Sequence, residues 1–333
     1  MAKILPIASG KGGVGKTFFS ANVGIILSQM GQKVVLIDLD LGGSNLHTTL
    51  GIKNDILGLG HYINNEKIEF KNIIHNTDYL NLRFIPGDAL YLGTANLQYL
   101  RKKKLMSEIV NIDADWVILD LGAGTTNNTL DFFLLSNCGI LITNGEITSI
   151  LNLYSFVKNA FYRYILIKYK KKDKVREVLF SASKLRLEKE DLRLAEFLRL
   201  LKKDYPEAEE TLNNIIGNFF PKIILNRGKS KTDIKLSENL RYIINKNIGL
   251  EMEYIGFLPE EPLASESIVN RKPICITNKD SKWVLGVKKI ARRLLEFNNY
   301  PSTIFEFDVD SLDVVYTDLE NSNVEKNRLI NKN

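Results

Sequence analysis

The first 150 residues alternate short apolar runs, rich in β-branched side chains, with longer segments whose apolar residues recur at helical spacing. Strands that alternate with amphipathic helices are typical of a mostly parallel sheet covered by helices on both faces. The pattern therefore predicts an α/β fold, a doubly wound and mostly parallel sheet flanked by helices. The predicted strands are residues 3–8, 33–38, 81–85, 116–121, 139–143, 222–225 and 254–257.

Pro6 conflicts with the first of these strands. Proline donates no hydrogen bond to a sheet and is rare in central strands. We nevertheless predict the strand, because the glycine-rich loop that follows it requires one.

Residues 168–218 interrupt the alternation. Leucines at roughly helical spacing lie among charged residues there, which indicates one or two inserted amphipathic helices, separated by Pro206. Residues 283–297 are basic and amphipathic, and we expect them to be the closing helix with its apolar face in the core; the alternative is a membrane-binding helix. The acidic, asparagine-rich tail 301–333 is expected to be partly disordered. The sequence thus predicts one domain over residues 1–300.

Composition places the chain among ordinary globular proteins. Its 333 residues can bury a large core, and 44% hydrophobic and 25% charged residues are typical values. We expect no transmembrane helix and no signal peptide. Cys138 and Cys275 each lie in an apolar run, so we expect buried free thiols in a reducing cytoplasm and not a disulfide or metal framework.

The positive charge is unevenly distributed. The net charge is +6, and residues 168–204 alone hold 13 Lys/Arg against 7 Asp/Glu. Such a segment suggests contact with nucleic acid or an anionic membrane. A solvated surface is the alternative interpretation.

The loop between the first strand and the first helix fits the phosphate-binding pattern G-x-x-x-x-G-K-[ST]. Its glycines let backbone N–H groups curl around an anion, and the next helix points its positive end at the phosphates. In this pattern Lys16 reaches the β- and γ-phosphates, and the Thr17 hydroxyl holds Mg²⁺ directly. The predicted nucleotide-binding residues of this P-loop are Gly10, Lys11, Gly12, Gly13, Val14, Gly15, Lys16 and Thr17.

Two hydrophobic strands end in aspartates. Asp38 and Asp40 lie one residue apart, so their side chains should point to opposite sides of the strand and can have different roles. Asp120 ends another strand, and Gly124 follows it after a short glycine-containing turn. A pair of acids that caps the next helix is the alternative for the first strand.

A second lysine inside the loop, Lys11, is not needed to bind phosphate within one subunit. With it, the loop resembles the deviant Walker A motif of the ParA/MinD family of P-loop ATPases, the MinD-like SIMIBI class, and the chain is most similar to FlhG-like members. The resemblance implies that Lys11 crosses a dimer interface to the partner subunit's nucleotide, and that Lys11, Lys16 and Asp40 are the catalytic residues. A solvated loop charge is the alternative role for Lys11.

Two more segments resemble the switch loops of this family. Asp38, Asp40 and Asn45 match the first switch, and Asp120 and Gly124 match the second in the D-x-G-A-G form. By this resemblance Asp38 and Asp120 support Mg²⁺ through water, and Asp40 orients the hydrolytic water.

The base-binding residues are predicted from the same resemblance. Asn226 stands where the family has an asparagine that hydrogen-bonds adenine, and Pro259 ends its G-x-x-P loop. The run 226–229 lacks the acid that reads guanine in small GTPases, so ATP is favoured over GTP. One departure is Gly145-Glu146, where the family usually has Pro-Glu.

The resemblance implies an ATP-dependent homodimer that works as a switch. It would position a cellular structure or regulate its number, with slow ATP hydrolysis stimulated by a protein partner that the sequence does not identify. The cofactors are ATP and Mg²⁺, and the location is cytoplasmic, with the inner membrane face or cell pole as a peripheral site. The alternative is DNA or cargo partitioning through ATP-dependent, non-specific DNA binding. An iron–sulfur carrier of this fold is disfavoured, because Cys138 and Cys275 form no Cys-x-x-C pair.

Overall fold

The computed structural model describes residues 2–296 apart from 54, 66, 88–98, 169–198, 200–202, 204–212 and 215. Eight strands of this part form one sheet, in the order β3-β4-β2-β5-β1-β6-β7-β8. All neighbouring strands pair in parallel except β3 and β4. The strands are β1 Lys3–Ala8, β2 Val34–Leu39, β3 His75–Asn76, β4 Leu82–Ile85, β5 Trp116–Leu121, β6 Ile140–Thr143, β7 Lys222–Gly228 and β8 Glu253–Pro259. The α/β prediction is confirmed.

Helices cover both faces of this sheet. The helices are α1 Lys16–Gln29, α2 Leu46–Leu50, α3 Leu59–Asn64, α4 Tyr99–Val110, α5 Asn127–Phe133, α6 Ile147–Lys168, α7 Lys231–Ile248, α8 Ala264–Val269, α9 Ile274–Thr277 and α10 Lys282–Glu296. One hydrophobic core joins one sheet face to helices that include α4–α7, and a second joins the other face to α1 and α10. The strands are buried on both sides as a result, which explains their continuous apolar runs.

Pro6 fits into central strand β1 because of its position in the register. The Lys3 N–H donates to the carbonyl of Asp115 on the β5 side, at 2.9 Å. Successive residues of a strand alternate in direction, so the Pro6 nitrogen faces the β6 side. Pairing with β6 begins only at Ile7, and no sheet hydrogen bond is lost at the proline.

The predicted closing helix is confirmed as α10, Lys282–Glu296, while residue 297, where the prediction ended, lies outside the described residues. Its buried residues are Trp283, Val284, Val287, Ile290, Ala291 and Leu294. Ile290 packs directly over Gly256 of β8, where an added Cβ would lie 2.5 Å from the isoleucine side chain. The apolar face is therefore part of the core, which removes the membrane-binding alternative for this segment.

Most of the insertion 168–218 and all of the tail 301–333 lie outside the described residues. Cys275 is buried as expected, whereas Cys138 is only partly buried, because the turn before β6 leaves it near the surface; both are free thiols. Within the described part of the chain, every helix is too short or too polar to cross a membrane.

Candidate functional site

The P-loop connects β1, in the middle of the sheet, to the buried helix α1. Gly13 and Gly15 adopt positive φ angles of 80° and 91°, in the left-handed region that favours glycine. Gly15 is the N-cap of α1, and no side chain caps this helix end. Its first N–H groups therefore remain oriented for an anion.

Lys16 and two hydroxyl groups converge on Asp120. The Lys16 side chain is buried, and its Nζ lies 3.9 Å from Asp120 Oδ1. The Ser20 hydroxyl donates to the same oxygen at 2.9 Å, and the Thr17 hydroxyl also bonds this carboxylate. The predicted lysine, threonine and strand-end acid thus share one site at the carboxyl edge of the sheet.

Asp38 lies beside Asp120, because the two residues are register partners on adjacent strands β2 and β5. Its carboxylate accepts hydrogen bonds from the Ser44 hydroxyl at 2.7 Å, the Leu46 N–H at 3.0 Å and the Asp40 N–H at 3.1 Å. Burial raises the pKa of Asp38 to about 7, and the charge of Asp120 adds to the rise. Burial also raises the pKa of Asp120.

The carboxylate of Asp120 indicates whether a metal ion fits this site. Its Oδ2 atom is buried and has no hydrogen-bond partner among the described residues. Mg²⁺ prefers hard oxygen ligands and takes few of them from protein, since phosphates and water complete its shell. The described residues contain no group of three or more His, Cys, Asp or Glu that could hold a metal ion. The residues present therefore fit Mg²⁺ bound together with a nucleotide.

The two predicted switch loops meet next to this site. Asp40 faces the second loop, since a Cβ added to Gly122 would lie 3.2 Å from Asp40 Oδ1. Gly124 has a φ of 87°, and its N–H donates to the Ser9 carbonyl at 3.1 Å, at the start of the P-loop. Asn45 stands at the N-cap of α2, and its amide donates to the Gly43 carbonyl at 2.7 Å.

Lys11 lies at the surface, where it contacts its own chain. Its Nζ is 2.8 Å from Glu146 Oε2 and 3.1 Å from Thr148 Oγ1, and its side chain is 40% exposed. The lysine side chain is flexible enough to leave these partners. Its predicted reach across a dimer interface stays a prediction.

The Gly145-Glu146 departure has a local cause. A Cβ on Gly145 would lie 2.4 Å from the Asp233 carboxylate. That carboxylate accepts the N–H groups of Lys229 at 2.6 Å and Ser230 at 3.1 Å, at the start of α7. Because any side chain at 145 would displace this cap, glycine fits where the family usually has proline.

Asn226 does not face solvent. It is 2% exposed, its Nδ2 donates to the Val14 carbonyl at 2.7 Å, and its Oδ1 accepts from Trp283 Nε1 at 3.0 Å. The predicted adenine contact of Asn226 stays a prediction. Pro259 ends β8 in register with Gly228 and is partly buried.

Two residues of this region were not predicted from the sequence. Arg227 donates to the Gly13 carbonyl at 3.3 Å, and Trp283 bonds Asn226 from the closing helix. The position of Arg227 beside Asn226 at a strand end was a usable signal. Trp283 lies 57 positions from Asn226 along the chain, so no local pattern could have placed it at the site.

A family model and several known proteins are similar to this chain. The model of the CobQ/CobB/MinD/ParA nucleotide binding domain matches residues 5–274. The flagellum site-determining protein YlxH of Helicobacter pylori (strain ATCC 700392 / 26695) is 31% identical over 161 residues, 47% of this chain and 53% of its own length. The septum site-determining protein MinD of Buchnera aphidicola subsp. Schizaphis graminum is 29% identical over 151 residues, 45% of this chain and 56% of its own. The chain thus spans about half the length of these relatives.

Solved structures of the same fold cover nearly the whole chain. The septum site-determining protein MinD from Pyrococcus horikoshii OT3, complexed with Mg-ADP, superimposes with a TM-score of 0.62. The match covers 92% of this chain and 100% of that one, at 20% sequence identity. At this identity the similarity shows the fold alone.

Proposed function

The chain belongs to the CobQ/CobB/MinD/ParA nucleotide-binding family, and on that premise we propose that it is an ATP-binding and ATP-hydrolysing dimerisation switch. The observation that carries the proposal is the convergence of Lys16, Thr17, Asp38 and Asp120 at one edge of the sheet. A buried lysine beside strand-end acids and an uncapped helix N-terminus is the arrangement that receives a triphosphate with its metal.

Mg²⁺ would be held directly by Thr17 and through water by Asp120 and Asp38. When bound, it supplies positive charge that neutralises the β- and γ-phosphate oxygens. Asp120 is the better placed acid, because its Oδ2 has no other partner in the described residues, whereas Asp38 is already hydrogen-bonded by three groups.

The protein's own groups perform the remaining functions. Lys16 offsets charge on the terminal phosphoryl group, and the N–H groups at the start of α1 bind the phosphate chain. Asp40, which faces the second switch loop, orients the attacking water. Lys11 of the partner subunit adds a second positive charge once two molecules associate.

Dimerisation requires Lys11 to exchange partners. It lies on Glu146 and Thr148 at the surface of its own chain, in an ion pair whose members are 40% and 60% exposed. Such exposed pairs contribute little to stability, so their loss opposes association only weakly. A triphosphate offers Lys11 a denser negative charge and would draw it across the interface.

The biological role proposed for the switch is that of a spatial regulator. The named relatives determine flagellum and septum sites, and a protein partner would stimulate hydrolysis and so return the dimer to monomers. We place the protein in the cytoplasm, with the inner membrane face or cell pole as its peripheral site. The partitioning alternative depends on basic side chains at 168–176, which lie outside the described residues and add no support.

An Asp40→Ala variant tests the proposal directly. It should bind ATP and accumulate as a dimer with ATP and Mg²⁺, because water is no longer oriented for hydrolysis. Light scattering and analytical sedimentation measure the mass, and a Lys16→Ala variant, expected to remain monomeric, is the control. If the Asp40→Ala protein stays monomeric at saturating ATP, or hydrolyses ATP at the wild-type rate, the proposed function is wrong.

A further inference from the structure

The carboxyl end of β7 holds two consecutive carbonyl groups of the P-loop. Asn226 Nδ2 donates to the Val14 carbonyl at 2.7 Å, and the Arg227 guanidinium donates to the Gly13 carbonyl at 3.3 Å. We propose that Asn226 and Arg227 are positioning residues that fix the orientation of these peptides for phosphate, and that Trp283 fixes Asn226 in turn. The inference rests on the proposed nucleotide binding and assigns Asn226 a role other than contact with adenine.

Because of the geometry of the peptide bond, these two hydrogen bonds also set the direction of the N–H groups that follow the two carbonyls. The described residues contain no cis peptide bond. In a trans peptide, the C=O of one residue and the N–H of the next point in opposite directions. Because the Gly13 and Val14 carbonyls point to β7, the N–H groups of Val14 and Gly15 point away from it, and in the proposed arrangement they face the phosphate.

The loop needs such a constraint because of its glycines. Gly13 and Gly15 have positive φ angles, and glycine exchanges one backbone conformation for another at little cost. A flexible loop would lose conformational entropy each time it bound phosphate. The two hydrogen bonds from β7 already restrict the loop in the folded protein. Less conformational entropy is therefore lost when phosphate binds.

Trp283 fixes the Asn226 amide in one orientation. An indole N–H can only donate, so the Asn226 oxygen must face it and the Asn226 nitrogen must face Val14. Trp283 is 2% exposed, bonds Asn226 Oδ1 at 3.0 Å and packs on Phe18 with ring centroids 4.8 Å apart. Gly15 completes the arrangement, since a Cβ there would lie 2.4 Å from Asn226 Nδ2.

Arg227 reaches the loop through an unusual backbone conformation. Its φ is 54°, in the left-handed region that non-glycine residues rarely adopt. Its side chain extends between the Gly13 carbonyl and Glu260, which lies 3.6 Å away and also pairs with Lys229 at 3.3 Å. The backbone strain is thus accompanied by a contact with the P-loop.

Calorimetry with Mg-ATP and with Mg-tripolyphosphate tests whether this region positions the P-loop or contacts adenine. If Asn226 and Arg227 position the loop, Asn226→Leu and Arg227→Ala should weaken both ligands by the same factor, about tenfold for one lost hydrogen bond. Trp283→Phe should act in the same direction with a smaller factor. If Asn226 instead contacts adenine, Asn226→Leu should weaken ATP alone and overturn the inference.

Lys229→Ala is the matched control for Arg227→Ala. It removes the same charge and the same partner, Glu260, but no contact with the P-loop, so it should leave both affinities near the wild-type value. Equal losses of affinity in the two variants would show that Arg227 acts only through its charge. That result would overturn its assignment as a positioning residue. Arg227 and Lys229 are both exposed, and melting temperatures near the wild-type value would confirm that their variants fold.

The wild-type protein distinguishes the inference from the proposed function. A wild type that binds neither ligand would contradict the proposed function itself. A wild type that binds ATP but not tripolyphosphate would overturn only the inference, because a loop oriented for phosphate must bind it without the base.

Discussion

At the scale of single residues, we predict that nucleotide binding depends most on the Lys16 side chain. It is 7% exposed and lies 3.9 Å from Asp120. We predict that Lys16→Ala abolishes ATP binding, because no other cation of the described loop reaches the same position. Calorimetry with Mg-ATP measures the loss.

Lys11→Ala serves as the comparison for Lys16→Ala. Lys11 lies at the surface on Glu146, so its loss should leave monomeric ATP binding intact while preventing ATP-dependent dimerisation. Loss of ATP binding in both variants would contradict the division of roles between the two lysines.

A second prediction at this scale concerns pH. The pKa of Asp38 is raised from 3.8 to about 7, chiefly by burial, so the folded protein holds a proton that the unfolded chain has released. This contribution to stability is complete below about pH 4 and is lost as the pH rises toward 7. In EDTA, the melting temperature should therefore carry a component that falls between pH 5 and 7.

Asp38→Asn is the control for the pH prediction. The amide cannot titrate, so the variant should have a flatter dependence of melting temperature on pH than the wild type. An unchanged pH profile in the variant would show that Asp38 titrates normally in the folded protein.

The P-loop could be located from the sequence, whereas the surroundings of Asn226 could not, for a physical reason. Short sequence patterns define the P-loop, residues 10–17, and the strand-end acids Asp38 and Asp120, because a phosphate loop and a strand end are local structures. The environment of Asn226 depends on Trp283 and Val14, which are distant along the chain. Such contacts form only when the closing helix packs against the sheet.

At the scale of elements, a buried ion cluster ties three helices together. Asp131 of α5 accepts hydrogen bonds from Lys102 of α4 and Arg163 of α6. Burial raises the pKa of Asp131, but the bonds and charges of these partners outweigh it and hold the pKa below the ordinary value. The cluster thus connects the helix that follows Gly124 to the helix that begins beside Glu146.

We predict that Asp131→Ala destabilises the protein by about 3–5 kcal/mol, because Lys102 is left buried without its carboxylate. Urea unfolding measures the change. Lys71→Ala, which removes the exposed pair with Glu69, is the control and should change stability little. Similar effects of the two variants would mean that the buried cluster contributes no more than a surface pair.

Strand prediction succeeded wherever a strand is buried on both faces. The seven predicted strands all occur, with ends within a few residues, because burial requires continuous apolar runs. β3 was missed, since a two-residue antiparallel edge strand leaves no periodic pattern. The predicted insertion lies mainly outside the described residues.

At the scale of the whole molecule, an apolar surface adjoins the site of Lys11. Ile147 is 64% exposed and Leu151 58% exposed, one helical turn apart on α6, next to Glu146 and Thr148. In the proposed dimer, we expect a second subunit that receives Lys11 to cover this surface. We predict that Leu151→Glu prevents ATP-dependent dimerisation and leaves ATP affinity unchanged, as measured by sedimentation and calorimetry.

Leu80→Glu is the control for this prediction. Leu80 is 83% exposed and lies in the turn before β4, away from the P-loop side of α6, so its replacement should leave the dimer intact. A Leu151→Glu protein that still dimerises with ATP would place the interface elsewhere.

The register of β2 with β5 sets the relative positions of Asp38 and Asp120. Asp38 and Asp120 are separated by a single strand spacing of about 4.8 Å, and we expect this separation to stay the same when the loops move. Asp40, Asn45 and Gly124 lie beyond the last paired residues of these strands, and we expect them to shift when a nucleotide binds. Amide protons of the paired strands should therefore exchange with deuterium equally slowly in all nucleotide states, while those of residues 40–46 and 122–126 report which nucleotide is bound.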